Sequence, residues 1–160
     1  MKESILWRKL RDGTSALDIH WTRLESWASP GVPDVHGFYQ SYDLWIELKV
    51  MRSSTIKVRP HQISWHYSRQ RAGGSSFILI GDPGRRIMNL YTGAVVRELS
   101  VPSSVSSIPL IWTSPTRNCD WRSMIVAMCS VIDDQRSRPK DCDNMDIGSP
   151  SSSSSSSSST

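Results

Sequence analysis

Three residues of types that can bind a cation and assist hydrolysis occur close together in the chain: Asp34, Glu47 and Lys49. Asp34 ends the turn-forming run Gly31-Val32-Pro33-Asp34, and Glu47 and Lys49 lie two residues apart in the mainly apolar segment 44–50. Because alternate side chains of a strand share a face, Glu47 and Lys49 would point to one side and their apolar neighbours to the other. Buried charges are costly unless a cation or a charged substrate uses them. The pattern therefore indicates metal-assisted hydrolysis of phosphodiesters.

A hard divalent cation at such a site lowers the pKa of a bound water and polarises the phosphoryl oxygen. Magnesium takes near-octahedral oxygen ligands, often one or two carboxylates together with waters and phosphate. Asp34 and Glu47 are the predicted ligands of Mg²⁺ or Mn²⁺, with the main-chain carbonyl of Leu48 as a third protein oxygen. The Lys49 ammonium cannot bind a hard cation, so it is predicted to orient the attacking water or to stabilise developing negative charge.

A helix predicted over residues 60–71 adds Gln62 to the candidates. Pro60 suits the first turn of a helix, and Gly73-Gly74 suits its end. Gln62, His66 and Arg69 are spaced i, i+4 and i+7, which predicts a polar face that could meet a phosphate backbone. A helix with a solvated polar side explains the same periodicity equally well.

Glu25, near the end of a helix predicted over residues 16–28, is the candidate for a third carboxylate. A solvated helix charge explains Glu25 equally well. Taken singly, Asp34 fits a turn residue, and Glu47 with Lys49 fits a surface ion pair. Their combination on neighbouring extended segments favours one shared site over these separate explanations.

The elements that must position these residues alternate between helix and strand. Helices are predicted over residues 3–11, 16–28, 60–71 and 119–131. Extended segments are predicted over residues 32–35, 43–51, 77–81, 86–91 and 94–99, the last two as a hairpin around Thr92-Gly93. Residues 36–42 are a predicted loop or hairpin connection, and residues 100–118 a loop. A helix between successive strands suits a crossover, so the order predicts an α/β fold, a three-layer sandwich with a central mixed β-sheet flanked by helices.

Composition divides the 160 residues into a predicted folded domain, 1–132, and a predicted disordered tail, 133–160. The tail is poor in apolar residues and contains an unbroken serine run at 151–159, so it cannot bury enough surface to offset its ordering entropy. Without it, sixteen basic and ten acidic side chains leave the domain at +6, against +4 for the whole chain. That excess suits a polyanionic partner such as DNA.

The sequence lacks the motifs of several other classes of protein. The three cysteines have no paired zinc spacing, and HExxH, GxSxG and GxxxxGK[ST] patterns do not occur. No apolar segment approaches the length of a membrane span, so we expect a soluble cytoplasmic protein with no membrane partner, in the host cytoplasm if the chain is viral. A homodimer, which would place two sites on two DNA strands, suits the short chain.

The order of these motifs resembles that of the PD-(D/E)xK nucleases. The motifs are Gly-Val-Pro-Asp at 31–34, Glu-Leu-Lys at 47–49, Arg-Pro-His-Gln at 59–62 and Ala-Gly-Gly at 72–74 before an apolar strand. Within that superfamily the order is most similar to the virus-type replication-repair nuclease (VRR-NUC) branch and to its Holliday-junction-resolvase-like phage relatives. The matching region spans residues 23–81.

The resemblance implies a restriction-endonuclease-like core and a Mg²⁺-dependent endonuclease acting on DNA, at branched or replication-associated structures. It places Asp34 at the motif aspartate, Glu47 and Lys49 at the acidic residue and lysine of the strand, Gln62 at the helix glutamine, and Glu25 at the upstream acidic residue. The alternative from another class is a non-catalytic nucleic-acid-binding module of the same fold, which would bind DNA in a salt-dependent way without cleaving it. A third is a structural protein with an ordinary ion-paired surface.

Overall fold

A single mixed sheet forms the centre of the computed structural model, which describes residues 1–24, 30–52, 56–101 and 107–138. Its six strands lie side by side in chain order and are β1 (His20–Arg23), β2 (Val35–Tyr39), β3 (Tyr42–Val50), β4 (Phe77–Asp82), β5 (Ile87–Thr92) and β6 (Trp112–Pro115). The α-helices of these residues are α1 (Glu3–Gly13), α2 (Pro60–Arg71), α3 (Val96–Leu99) and α4 (Trp121–Ser137). Short 3-10 helices occupy Ser15–Leu17 and Gly93–Val95.

The sheet is mixed because β3 and β4 run parallel, whereas the other neighbouring strands pair antiparallel. Helix α2 connects the two parallel strands, as a parallel pair requires. The hairpin between β2 and β3 turns through Gln40 and Ser41, both with positive φ, of 46° and 74°. Two successive residues with positive φ fit the type I′ turn that the twist of a hairpin favours.

Helices cover both faces of the sheet. On one face, β3 residues Leu44, Ile46 and Leu48 pack in a cluster with α1 and α4. On the other, Ile78 and Ile80 of β4 pack with α3 and, through the partly buried Ile63, with α2. Alternate residues of β4 thus enter opposite cores, and all six are buried. The predicted three-layer sandwich with a central mixed sheet is confirmed.

The helix predicted over residues 16–28 is wrong for the part that the structure describes. A 3-10 helix occupies Ser15–Leu17, Asp18 takes a left-handed φ of 51°, and β1 begins at His20. Leu17, Ile19 and Trp21 are partly buried against the core, with a spacing of two. A spacing of two is the repeat of a strand, whereas a helix repeats every 3.6 residues. The four-residue step from Leu17 to Trp21 fits both repeats, which is why the sequence pattern indicated a helix.

Three further predictions need correction. Strand β2 occupies Val35–Tyr39, whereas the extended segment was predicted over residues 32–35 and a loop or hairpin connection over residues 36–42. Residues 94–99 do not pair with β5, because a 3-10 helix and α3 follow Thr92 and bury Val96 and Leu99, three residues apart. The loop predicted over residues 100–118 contains β6, which pairs with β5 at the edge of the sheet.

Helix α4 runs through Ser137, so helical structure passes the domain boundary predicted at residue 132. Residues 139–160, the rest of the predicted tail, lie outside the described residues. None of the helices described is long and apolar enough to cross a membrane.

Candidate active site

Strand β3 presents Glu47 and Lys49 on the sheet face that α2 covers. Their side chains form an ion pair, with 2.8 Å between Lys49 Nζ and Glu47 Oε1. Glu47 is 1% exposed and Lys49 9% exposed, so both charges are held away from bulk water. The shared face and the buried apolar far face agree with the strand periodicity. Packing behind β3 therefore fixes where the ion pair lies.

Asp34 immediately precedes β2 and lies beside the same part of β3. Its Oδ2 accepts a hydrogen bond from the Leu48 main-chain N–H at 2.9 Å. In a strand the N–H and C=O of one residue point to the same edge, so the Leu48 carbonyl also points toward the Asp34 side. Asp34 thus contacts the Leu48 backbone, and its charge acts on the neighbouring Glu47.

Gln62 lies in the first turn of α2, and both ends of its amide are bound. The Gln62 Oε1 accepts from the Arg59 main-chain N–H at 3.0 Å, which satisfies a donor at the helix start. The Gln62 Nε2 donates to Glu47 Oε1. The helix start therefore positions the Glu47 carboxylate from the side opposite β3.

Gly31 brings the Asp34 turn and the start of α2 together. Its φ is +96°, a conformation that side-chain-bearing residues rarely adopt, and a Cβ there would overlap the His61 carbonyl oxygen. The chain can pass this close to the helix only because glycine has no side chain. The turn that carries Asp34 and the helix that carries Gln62 are thereby packed as one unit.

The electrostatics of Glu47 are unusual for a carboxylate. Burial, followed by the nearby Asp34 charge, raises the pKa of Glu47 to about 7, although Lys49 opposes this rise. Its Oε2 is buried and has no hydrogen-bond partner among the described residues. An unpartnered buried carboxylate oxygen is costly, and a bound cation would satisfy it.

A cavity of about 420 Å³ opens over these groups. Its described lining residues are Glu3, Asp34, Lys49, Val50, Arg52, Lys57, Arg59 and Gln62. Asp34 and Glu3 supply the carboxylates of this lining, and Arg52, Lys57 and Arg59, from the segment between β3 and α2, form a basic wall. The Glu47 carboxylate lies beneath Lys49 and Gln62, which both contact it and line the cavity. Such a cavity suits an anionic substrate held against a cation.

Glu3 is the site residue that sequence reasoning missed. It lies in the first turn of α1, lines the cavity, and its charge adds to the rise in the pKa of Glu47. An acidic residue at the start of a helix is common because it favours the helix dipole, so this signal did not single Glu3 out. Glu25, the predicted third carboxylate, lies outside the described residues.

The predicted phosphate-facing side of α2 is wrong beyond Gln62. His66 is fully buried, and its Nδ1 lies 2.8 Å from Ser76 Oγ. Burial lowers the pKa of His66 to about 4, which keeps the ring neutral at pH 7. Arg69 pairs with Asp43 at 2.8 Å and lies over the Trp45 ring. His66 and Arg69 therefore contact Ser76 and Asp43 of the same chain.

The donor set fits a hard divalent cation. Asp34 and Glu47 offer carboxylate oxygens, and the Leu48 carbonyl points to their side. In the described part of the chain, no group of three or more His, Cys, Asp and Glu side chains is arranged to hold a metal. Two carboxylates suffice for Mg²⁺, which keeps several waters and often binds through the phosphates of a substrate.

No protein-family model matches the chain, and no curated protein matches it. Among solved structures, it is similar to the Holliday junction resolvase Hjc of the archaeal hyperthermophile Archaeoglobus fulgidus, with 15% identity and a TM-score of 0.47, over 57% of this chain and 78% of that one. It is also similar to a VRR_NUC domain, with 22% identity and a TM-score of 0.43, over 50% of this chain and 84% of that domain.

Proposed function

We propose that the chain is a metal-dependent endonuclease that hydrolyses DNA phosphodiester bonds, using Mg²⁺ or Mn²⁺ held by Asp34, Glu47 and the Leu48 carbonyl. The observation that carries the proposal is the buried Glu47 carboxylate with one oxygen unpartnered among the described residues. Its other oxygen pairs with Lys49, and Lys49 lines a cavity that Asp34 also lines. A purely structural ion pair would leave no reason to keep that second oxygen buried and unsatisfied.

The bound cation would supply an activated water and would neutralise charge on the scissile phosphate. The chain's own residues then have separate tasks. Asp34 and Glu47 fix the position of the reacting phosphate relative to the sheet. Lys49, held at 2.8 Å by Glu47, can donate a hydrogen bond to the attacking water or to a phosphate oxygen. Gln62 keeps the Glu47 carboxylate in place from the helix side.

Hydrolysis forms a bond between the water oxygen and phosphorus and breaks the ester P–O bond. The water gives up a proton, and the leaving sugar oxygen takes one up. Preorganised donors that meet charge as it develops contribute most to such a step, and removal of one typically costs about 10²–10³ in kcat. Lys49 is the group that this arrangement assigns to that role.

The basic wall favours a polyanionic substrate. Arg52, Lys57 and Arg59 line the same cavity as Asp34 and Lys49. Phosphate contacts of this kind position a nucleic acid without reading its sequence. We therefore propose DNA as the substrate, and branched or replication-associated DNA as the structure to test first.

The test is a cleavage panel of supercoiled, linear and four-way-junction DNA with Mg²⁺, with Mn²⁺ and with a chelator. We expect metal-dependent cleavage by the wild-type protein and a loss of at least about 10²-fold in Asp34→Ala and in Lys49→Ala. Arg71→Gln, an exposed substitution at the far end of α2, serves as the control and should cleave like the wild type.

Cleavage that persists unchanged in both site variants would overturn the assignment. Salt-dependent DNA binding without cleavage on any substrate would instead identify a non-catalytic nucleic-acid-binding module.

A further inference from the structure

A second cavity, of about 310 Å³ and with basic lining residues, lies near the strand ends of the sheet. The candidate active site lies at the same end of the sheet. The described lining residues of the second cavity are Met1, Lys9, Pro83, Arg86, Thr116 and Arg117. Three are basic and none is acidic. The basic residues come from three parts of the chain: Lys9 from α1, Arg86 from the turn between β4 and β5, and Arg117 from the segment between β6 and α4.

The two cavities are neighbours at the same end of the sheet. Val50, at the end of β3, lines the first cavity and pairs with Gly81 of β4. The Met1 side chain lies against Gly81 and lines the second cavity. The end of β3 and the start of β5, which flank Gly81, are two strand spacings apart, roughly 10 Å. That distance is comparable to the groove of a DNA duplex, about 12 Å for the major groove.

The backbone brings the two segments that carry Arg86 and Arg117 together. The Thr116 N–H donates to the Arg86 carbonyl at 2.8 Å, which continues the pairing of β5 with β6 by one step. Arg86 has a left-handed φ of 57°, a conformation uncommon for a residue with a side chain. Arg117 follows Thr116 directly. Like charges placed together in this way repel one another unless an anion lies between them.

The acidic side chains nearby have other partners. Asp82 accepts a hydrogen bond from the Arg85 N–H at 3.0 Å. Asp120 accepts one from the Ser123 N–H at 3.0 Å, at the start of α4. The Thr116 hydroxyl, by contrast, is buried and has no hydrogen-bond partner among the described residues. One hydroxyl donor and three cationic side chains thus line the same cavity, and these are groups that bind a tetrahedral oxyanion.

We propose that this cavity binds a backbone phosphate of the DNA, distinct from the phosphate that is cleaved, through Lys9, Arg86, Arg117 and the Thr116 hydroxyl. The inference rests on the proposed function, because it assigns a second contact to the same substrate. Its role is to hold the duplex in register with the active site. Since phosphate contacts carry no sequence information, it would strengthen binding to all DNA sequences alike.

The test measures DNA affinity as a function of salt in a cleavage-deficient Asp34→Ala background. Adding Arg86→Gln and Arg117→Gln should lower the slope of log K against log[salt] by about one, the value for one lost phosphate contact. The matched control is Arg71→Gln with Arg97→Gln, which removes two exposed arginines on α2 and α3 and should leave the slope nearly unchanged. Arg86→Lys with Arg117→Lys keeps both charges and should keep most of the slope.

Thermal unfolding of each variant shows whether it is folded before binding is compared. If the glutamine pair and the control pair give the same slope in folded proteins, the second phosphate site is wrong, whatever the cleavage panel shows. If the slope falls as expected but the wild type cleaves no DNA, the proposed activity is wrong and the phosphate site stands.

A further arm uses inorganic phosphate alone and separates the two sources of the anion. For a DNA phosphate, phosphate ion should bind weakly by calorimetry and should compete with DNA only at high concentration. Tight binding of phosphate ion that the arginine substitutions abolish, with no change in the DNA salt slope, would identify a small-anion site and overturn the DNA assignment.

Discussion

At the scale of single residues, the Glu47 carboxyl links protonation to stability. Its pKa is raised to about 7 in the folded chain, above the ordinary value of 4.5. Between those two values the folded state holds more protons than the unfolded state. The free energy of unfolding therefore falls as pH rises through this window, and the contribution is fully present only below pH 4.5.

The metal-free protein should accordingly lose about 2 to 3 kcal/mol of stability between pH 5 and pH 8 that Glu47→Gln does not lose. Urea unfolding of both proteins in the presence of a chelator measures the difference. Adding Mg²⁺ at pH 8 should then stabilise the wild type, since a ligand that binds only the folded state adds stability by mass action. The glutamine variant should not respond.

Parallel pH profiles for the two proteins would mean that Glu47 titrates like an ordinary carboxyl group. In that case the raised pKa, and with it the desolvation of the Glu47 carboxyl group, would be wrong.

Sequence placed Asp34, Glu47, Lys49 and Gln62 within one site, because turn chemistry and strand alternation are local properties of the chain. The roles assigned to them stay predictions. His66 shows the limit of such reasoning. Its polar partner Ser76 lies directly before β4, and only the folded chain brings the two side chains together.

At the scale of elements, the close approach of the Asp34 turn to α2 gives a prediction about backbone geometry. Gly31→Ala should cost about 2–3 kcal/mol, because φ is +96° and the new Cβ would overlap the His61 carbonyl. It should also lower cleavage by at least about tenfold, because small displacements of catalytic groups are expensive. Urea unfolding and the cleavage assay measure the two effects separately.

Gly73→Ala provides the matched control. Gly73 also has a positive φ, +79°, but a Cβ there would meet nothing within 4 Å. We expect a cost of about 1 kcal/mol and no loss of cleavage. Equal effects of the two substitutions on cleavage would show that the packing of the turn on α2 does not position Asp34.

The elements that sequence predicted well carry strong local signals. Strands β3 and β4 are apolar or alternating runs, and helix α2 begins at a proline and is followed by two glycines. The observed limits of all three agree closely with the predicted ones. The edges of the sheet were harder. Strand β6 has four residues, and its pairing with β5 is a tertiary contact that no local periodicity contains.

At the scale of the whole molecule, the last turns of α4 tie the end of the domain to the sheet. Asp133 accepts a hydrogen bond from the Tyr42 hydroxyl at 2.9 Å, and Arg136 donates to the Ser41 carbonyl at 3.1 Å. Gln135 accepts from the Ser75 hydroxyl. The boundary predicted at residue 132 rests on low apolar content, which does not register polar contacts made by a helix end, and it stays a prediction.

Two truncations test where the domain ends. A chain ending at Ile132 loses these contacts and the last turns of α4, so its Tm should be lower by roughly 5 °C. A chain ending at Arg138 retains them and should unfold like the full-length protein by circular dichroism. Equal Tm values for the two truncations would support the predicted boundary at residue 132. A chain ending at Arg138 that unfolds at a lower Tm than the full-length protein would assign a stabilising role to residues 139–160.

The sheet order follows the chain order, from β1 to β6. Each strand therefore pairs with the strand before it and the strand after it in the chain. The parallel pair of β3 and β4 can form only when the chain has crossed over the sheet through α2. That same crossover brings Gln62 to Glu47. We therefore expect the candidate site to assemble in the folding step that joins the two halves of the sheet.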